Sequence, residues 1–146
     1  MLFRKILIPT DGSRSTEDAV RMGLEIARLS GASVTALNAV DGPVLLSTPV
    51  DPEMVNLYGI LEKEGRSAVE RVIDIGATMN VTVEPRVVSG NPVKVITDAS
   101  ADHDLIVMGT LGRTKMAKIL IGSVAEKVIK LAKCPVMVVR SKGDGQ

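Results

Sequence analysis

Three glycines, a serine and a group of cations form the pattern most suggestive of chemistry. The segment reads Gly109-Thr110-Leu111-Gly112-Arg113-Thr114-Lys115, then Lys118, then Gly122-Ser123. Gly109 and Gly112 bracket a tight turn in which backbone amides can approach a ligand closely. Gly122-Ser123 opens a helical pattern, and the first amide hydrogens of a helix have no intrahelical acceptor. Such an end suits an anion, and the serine hydroxyl adds a donor. Arg113, Lys115 and Lys118 are the charged residues between Gly109 and Ala125, with no carboxylate among them. Singly, these features are an ordinary turn, an ordinary cap and solvated cations. Their coincidence at the end of one apolar run describes a phosphate cradle. The spacing is not GxxxxGK[ST], and no GxGxxG follows the first apolar run, which disfavours a plain ATPase and a dinucleotide dehydrogenase.

Short apolar runs alternating with helical patterns must position that cradle. Ile6-Leu7-Ile8 reads as a buried strand closed by the turn cluster Pro9-Thr10-Asp11-Gly12-Ser13. A helix follows, with Ser15 and Asp18 as a weak capping box, Ala19, Met22, Gly23, Ile26 and Ala27 on its inner face, and Gly31 as terminator. Val34 to Val40 is a second strand. Residues 42–52 hold three prolines and read as a loop, and Asp51-Pro52 suits the start of a long helix running to about Asn80. Val55, Tyr58, Leu61, Ala68, Val72, Ile75 and Met79 fall on or near one face of it. Val81 to Val88 alternates like a strand, and Pro85 points to a sheet edge. A turn at Ser89-Gly90-Asn91-Pro92 leads into a short helix, Leu105 to Met108 is the fourth strand, and Ser123 to Lys133 is helical with Val124, Val128 and Leu131 inward. Pro135 to Val139 is the last strand, and the tail after it reads as frayed. This order predicts an α/β fold: one three-layer domain over residues 1–141, a parallel sheet with helices on both faces, and a flexible tail at 142–146. Ligands of such sheets sit beyond the carboxyl ends of the strands at a topological switch point.

Composition narrows the partners. The 146 residues carry a formal net charge of +1, so the chain lacks the overall basic field of a general nucleic-acid binder. Phe3 and Tyr58 are the only aromatics, leaving nothing on which single-stranded bases could stack. One cysteine, Cys134, cannot form an internal disulfide, and with one histidine, His103, it cannot build a Cys/His zinc site. No stretch has the length of a membrane span or a signal-peptide core, so the expectation is a cytoplasmic protein with no membrane partner. His103 is expected in a surface loop at the amino end of the sheet, and Cys134 as a small core residue.

The spacing Gly109-x2-Gly112-x9-Gly122-Ser123, with Ile6-Leu7-Ile8-Pro9-Thr10-Asp11-Gly12-Ser13 at the start, resembles the universal stress protein family in its ATP-binding subgroup. The strands Leu105 to Gly109 and Pro135 to Val139 look like that family's fourth and fifth. The resemblance covers nearly the whole chain. It implies a five-stranded sheet of order 3-2-1-4-5, with ATP across the crevice between the first and fourth strands. On that likeness Pro9, Thr10 and Asp11 match contacts to base and ribose, and Ala39 matches the wall of the adenine. The run Gly109, Thr110, Leu111, Gly112, Arg113, Thr114 and Lys115 matches phosphate and ribose contacts, as do Gly122, Ser123, Val124 and Ala125. Leu111 stands where the family often has histidine. Asp11 is placed to meet a metal or the ribose, and equally suits a turn or cap. Magnesium would then be held mainly by the phosphates and water.

Catalysis finds little material. Hydrolysis needs a group to orient the attacking water, and the segment from Gly109 to Ala125 offers no base. The expectation is an ATP-binding stress-response regulator, in which nucleotide orders the Arg113 to Ile121 loop for a protein partner, with slow hydrolysis at most. The aliphatic strand Val136 to Val139 would lie at a sheet edge, which invites pairing. The resemblance implies a homodimer through it. A dimeric scaffold that ignores nucleotide is the alternative. A receiver-like domain would want an acid pair after the first strand, and a flavodoxin-like one aromatics for its flavin.

Overall fold

A computed structural model describes residues 3–42, 52–110 and 121–141. Leu111, Gly112, Arg113, Thr114, Lys115 and Lys118, most of the loop at 42–52, and the tail at 142–146 lie outside the described residues. The elements are β1 (Lys5–Pro9), α1 (Arg14–Ser30), β2 (Ser33–Val40), α2 (Pro52–Thr78), β3 (Val83–Ser89), α3 (Pro92–Ala99), β4 (Leu105–Gly109), α4 (Ser123–Leu131) and β5 (Val136–Val139). A single 3-10 turn, Ser100–Asp102, links α3 to β4. The strands form one sheet in the order β3-β2-β1-β4-β5, and every neighbouring pair is parallel. The order reverses at β1, whose neighbours are β2 and β4. Pro85 lies in edge strand β3, where its missing amide hydrogen costs no ladder bond.

Strand alternation builds two cores. Ile6, Ile8, Val34, Ala36 and Val107 face α1 and α2, where they meet Val20, Leu24, Val69 and Val72. Leu7, Leu37, Ile106 and Met108 face the other way, against Ile96 of α3 and Ala125 and Val128 of α4. Central strands β1 and β4 are apolar on both sides because both sides are covered. Gly31 ends α1 in the left-handed region at φ 76°, as its type predicts.

Several helical faces differ from the sequence pattern. Ser13, not Ser15, is the N-cap of α1; Ser15 is buried in the first turn and its Oγ meets the Ser13 Oγ at 2.9 Å. The buried stripe of α1 keeps Ala19, Gly23 and Ala27 but turns toward Val20 and Leu24, leaving Met22 exposed. Both stripes satisfy the 3.6-residue period, and docking onto β1 and β4 selects one of them. The buried residues of α2 lie between Gly65 and Gly76, whereas Val55 near its start is exposed. In α4, Ala125 and Val128 face inward, Val124 is half-buried, and Leu131 is exposed at the helix end.

His103 corrects a further expectation: it is buried, not at the surface. Its Nδ1 lies 2.7 Å from the Ala99 carbonyl and its Nε2 lies 2.9 Å from the Thr35 hydroxyl. The carbonyl can only accept, so Nδ1 donates to it, while the hydroxyl of Thr35 partners Nε2. With both nitrogens partnered, burial leaves no polar atom stranded. Beside it, one carboxylate oxygen of Asp104 accepts the amide hydrogens of Arg4 and Lys5, at 2.8 and 2.9 Å. These bonds join the start of β4 to that of β1 and hold the Asp104 carboxyl below its ordinary value.

Candidate functional site

The carboxyl ends of β1 and β4 meet at the reversal of strand order. Pro9 is the last residue of β1, and the Thr10 amide continues the ladder by donating to the Leu37 carbonyl at 2.9 Å. Beyond it the loop closes on itself. The Gly12 amide donates to the Thr10 hydroxyl at 3.1 Å, and the Ser13 amide to Asp11 Oδ1 at 2.9 Å. Gly12 adopts φ +79°, a backbone conformation that favours glycine, and a Cβ there would sit 3.1 Å from the Ala68 Cβ of α2, a tight contact. Asp11 is half-buried and forms an Asx turn, the turn role that a Thr-Asp-Gly-Ser sequence allows.

Across the crevice, buried Gly109 ends β4 opposite Val139, and the Thr110 amide donates to the Val139 carbonyl at 3.2 Å. The Gly122 amide then donates to the Thr110 carbonyl at 2.6 Å. The chain therefore leaves β4 at Thr110 and returns to the same point at Gly122, which sets the start of α4 against the end of β4. Gly122 is the N-cap, extended at φ −72° and ψ 165°, and has no side chain to cover the helix amides. Within α4 the first capping bond comes from the Glu126 amide to the Gly122 carbonyl at 3.0 Å. The amides of Ser123, Val124 and Ala125 lie in the turn where helices have unpaired donors.

The surrounding faces agree. Pro9 alternates with Ile8 and so lies on the Leu7 side of the sheet; Ala39 lies on the Leu37 side, half-buried near the end of β2. That is the side α4 covers. The structure thus gathers Pro9, Thr10, Asp11, Gly109, Thr110, Gly122, Ser123, Val124 and Ala125 at one end of the sheet, with Ala39 one strand further out. Asn38, which the sequence reading passed over, is buried beside them and donates from Nδ2 to the Thr10 carbonyl at 2.9 Å. A buried asparagine in an apolar strand is the signal that would have found it. A small cleft opens behind the first loop between α1 and α2, lined by Thr10, Gly12 and Ser13, floored by Val20, Ala68, Val72 and Ile75 and rimmed by Arg14, Glu17 and Arg71. Among the described residues no three His, Cys, Asp or Glu side chains gather as a metal site, and no helix is long and apolar enough to cross a membrane.

Two loops at a switch point, one ending in a glycine-capped helix, define the class: a doubly wound α/β protein, a kind of sheet whose ligands sit beyond the carboxyl ends of the strands. The chain belongs to the universal stress protein family, whose model matches residues 2–140. It is 37% identical over 141 residues to a universal stress protein of Methanocaldococcus jannaschii, covering 95% of this chain and 83% of that one. It spans about half the length of a Mycolicibacterium smegmatis relative, 49% of it, at 30% identity over 97% of this chain. Among solved structures, the universal stress protein UspA of Lactobacillus plantarum superposes with a TM-score of 0.87 at 26% identity, over 96% of this chain and 99% of that one. Universal stress proteins of the same fold have also been solved in complex with cAMP, with dAMP, from Archaeoglobus fulgidus, and with AMP, from Arabidopsis thaliana.

Proposed function

We propose that this protein is a cytoplasmic regulator that binds an adenine nucleotide, ATP in the first place, in the crevice between β1 and β4. The observation that carries this reading is the bond from the Gly122 amide to the Thr110 carbonyl, which brings the open end of α4 to the carboxyl end of β4. A helix start without a side-chain cap suits a phosphate. Pro9, Thr10 and Asp11 would meet the base and ribose, Ala39 would wall the adenine, and Ser123, Val124 and Ala125 would meet phosphate and ribose, in a chain with only two aromatics. Gly112, Arg113, Thr114 and Lys115 would face the phosphates, with Leu111 supplying backbone contacts only. The relatives bound to cAMP, dAMP and AMP support the ligand class.

Magnesium would ride on the nucleotide. Asp11 is half-buried with Oδ1 already accepting from Ser13, so phosphate oxygens and water would supply the coordination and Asp11 at most one contact. Turnover would be slow at most, because the segment from Gly109 to Ala125 carries no carboxylate or histidine to orient an attacking water. The nucleotide would then act as a switch read by a protein partner. Edge strand β5, with Met137 exposed, would pair with a second copy to form a homodimer.

Mass spectrometry of ligand released from purified protein, with calorimetric titration of MgATP and AMP, tests the site. Adenine nucleotide in the extract or a saturable heat supports it. Neither, in folded protein, favours the scaffold reading. A monomer in sedimentation at micromolar concentration rejects the dimer.

A further inference from the structure

We infer that Asn38 is a positioning residue for the nucleotide, holding the first loop in its binding shape without touching the ligand. The inference rests on the crevice proposed above. Asn38 lies in β2, is 8% exposed, and faces α2 rather than the crevice side occupied by its neighbours Leu37 and Ala39. Its Nδ2 donates to the carbonyl of Thr10, the residue at which the chain leaves β1. Thr10 is also held by its amide on Leu37, and its hydroxyl receives the Gly12 amide. The Asn38 bond therefore fixes the Thr10-Asp11 peptide from behind, and with it the turn that presents Asp11.

Gly65 of α2 makes room for this side chain. A Cβ on Gly65 would stand 2.3 Å from Asn38 Oδ1 and 2.9 Å from its Cγ, and contacts that short do not occur. The helix is bare at the point where the amide lies, although glycine inside a helix costs about 1 kcal/mol against alanine. Two positions 27 apart in sequence thus serve one bond. A packing role alone would ask only for volume between β2 and α2; the donor aimed at the Thr10 carbonyl asks for an amide.

Three variants separate the two roles. Asn38→Ala removes the donor. Gly65→Ala displaces it. In the double variant the added methyl refills the space left by the amide, and the helix gains a better former. The expected result is that adenosine, AMP and ATP all bind Asn38→Ala roughly tenfold more weakly, by the same factor, as for loss of one buried hydrogen bond at the base and ribose end. Gly65→Ala weakens them similarly. In the double variant the melting temperature recovers and the affinity does not. Recovery of affinity together with stability would overturn the inference, as would unchanged affinity in Asn38→Ala. Hydrogen exchange at the Gly12 and Ser13 amides reads the loop without ligand: several-fold faster exchange in Asn38→Ala supports the role, and unchanged exchange rejects it. Failure of the parent protein to bind any of the three ligands would instead overturn the nucleotide reading, leaving the exchange result to decide the role of Asn38 in the loop.

Discussion

At the amino end of the sheet, side chains hold the strands together. His103 bridges the Ala99 carbonyl and the Thr35 hydroxyl, and Asp104 takes two amide hydrogens from the start of β1. Where β4 ends and α4 begins, at the carboxyl end, the described contacts run through backbone. Gly122 bonds Thr110, Thr110 bonds Val139, and the α4 N-cap has no side chain. The difference teaches where polar groups are satisfied internally and where they stand ready for something else. A closed network adds stability; on the proposed reading, a helix start without a side-chain cap would keep donors for a ligand.

Four perturbations break or sharpen that contrast. Gly122→Val sets a branched side chain where the phosphates would approach, and should lower ATP affinity by about a hundredfold or more while the melting temperature stays near that of the parent. Calorimetry on folded variant showing parent-like affinity would remove the phosphate cradle. His103→Ala acts at the other end. It should cost about 2 kcal/mol of stability in denaturant unfolding, through an unfilled space and an orphaned carbonyl, with ATP affinity unchanged. Smaller is Arg113→Ala, expected to weaken ATP several-fold and AMP hardly at all, since its charge would face the outer phosphates. Equal losses for both ligands would place it elsewhere.

The smallest effect is a pH dependence. The Asp104 carboxyl is held below its ordinary value first by the Arg4 amide and then by that of Lys5. Its folded-state value lies below its unfolded one, so the unfolded chain binds the proton more readily. The contribution is fully present above the unfolded value near pH 4 and is lost as pH falls through the folded one. Asp104→Asn should therefore lower the melting temperature slightly above pH 5 and flatten its decline toward pH 3. An unchanged acid limb would show that the two amides are satisfied without the charge.

Much of this contrast can be read in the sequence at one end and little of it at the other. Apolar runs closed by Pro9-Thr10-Asp11-Gly12 and by Gly109 mark strand ends and turns, because glycine, proline and aspartate act through local backbone geometry. The amino-end network leaves no such mark. His103 meets Thr35 from 68 positions away, and a histidine between two aspartates looks solvated until the fold encloses it. Asn38 was missed for the same reason: its partners, Thr10 and the bare stretch of helix at Gly65, lie on other elements.

Periodicity and turn chemistry by themselves determined the alternating α/β order and the parallel sheet, and local spacing marked the two crevice loops, because each depends on residues a few positions apart. Only the tertiary structure decided which flank of α1 is buried, that α2 docks through its second half, that His103 is enclosed, and that Asn38 holds Thr10. Those outcomes depend on which surfaces meet, and helical periods that are equivalent in isolation cease to be so once a neighbouring sheet covers one of them.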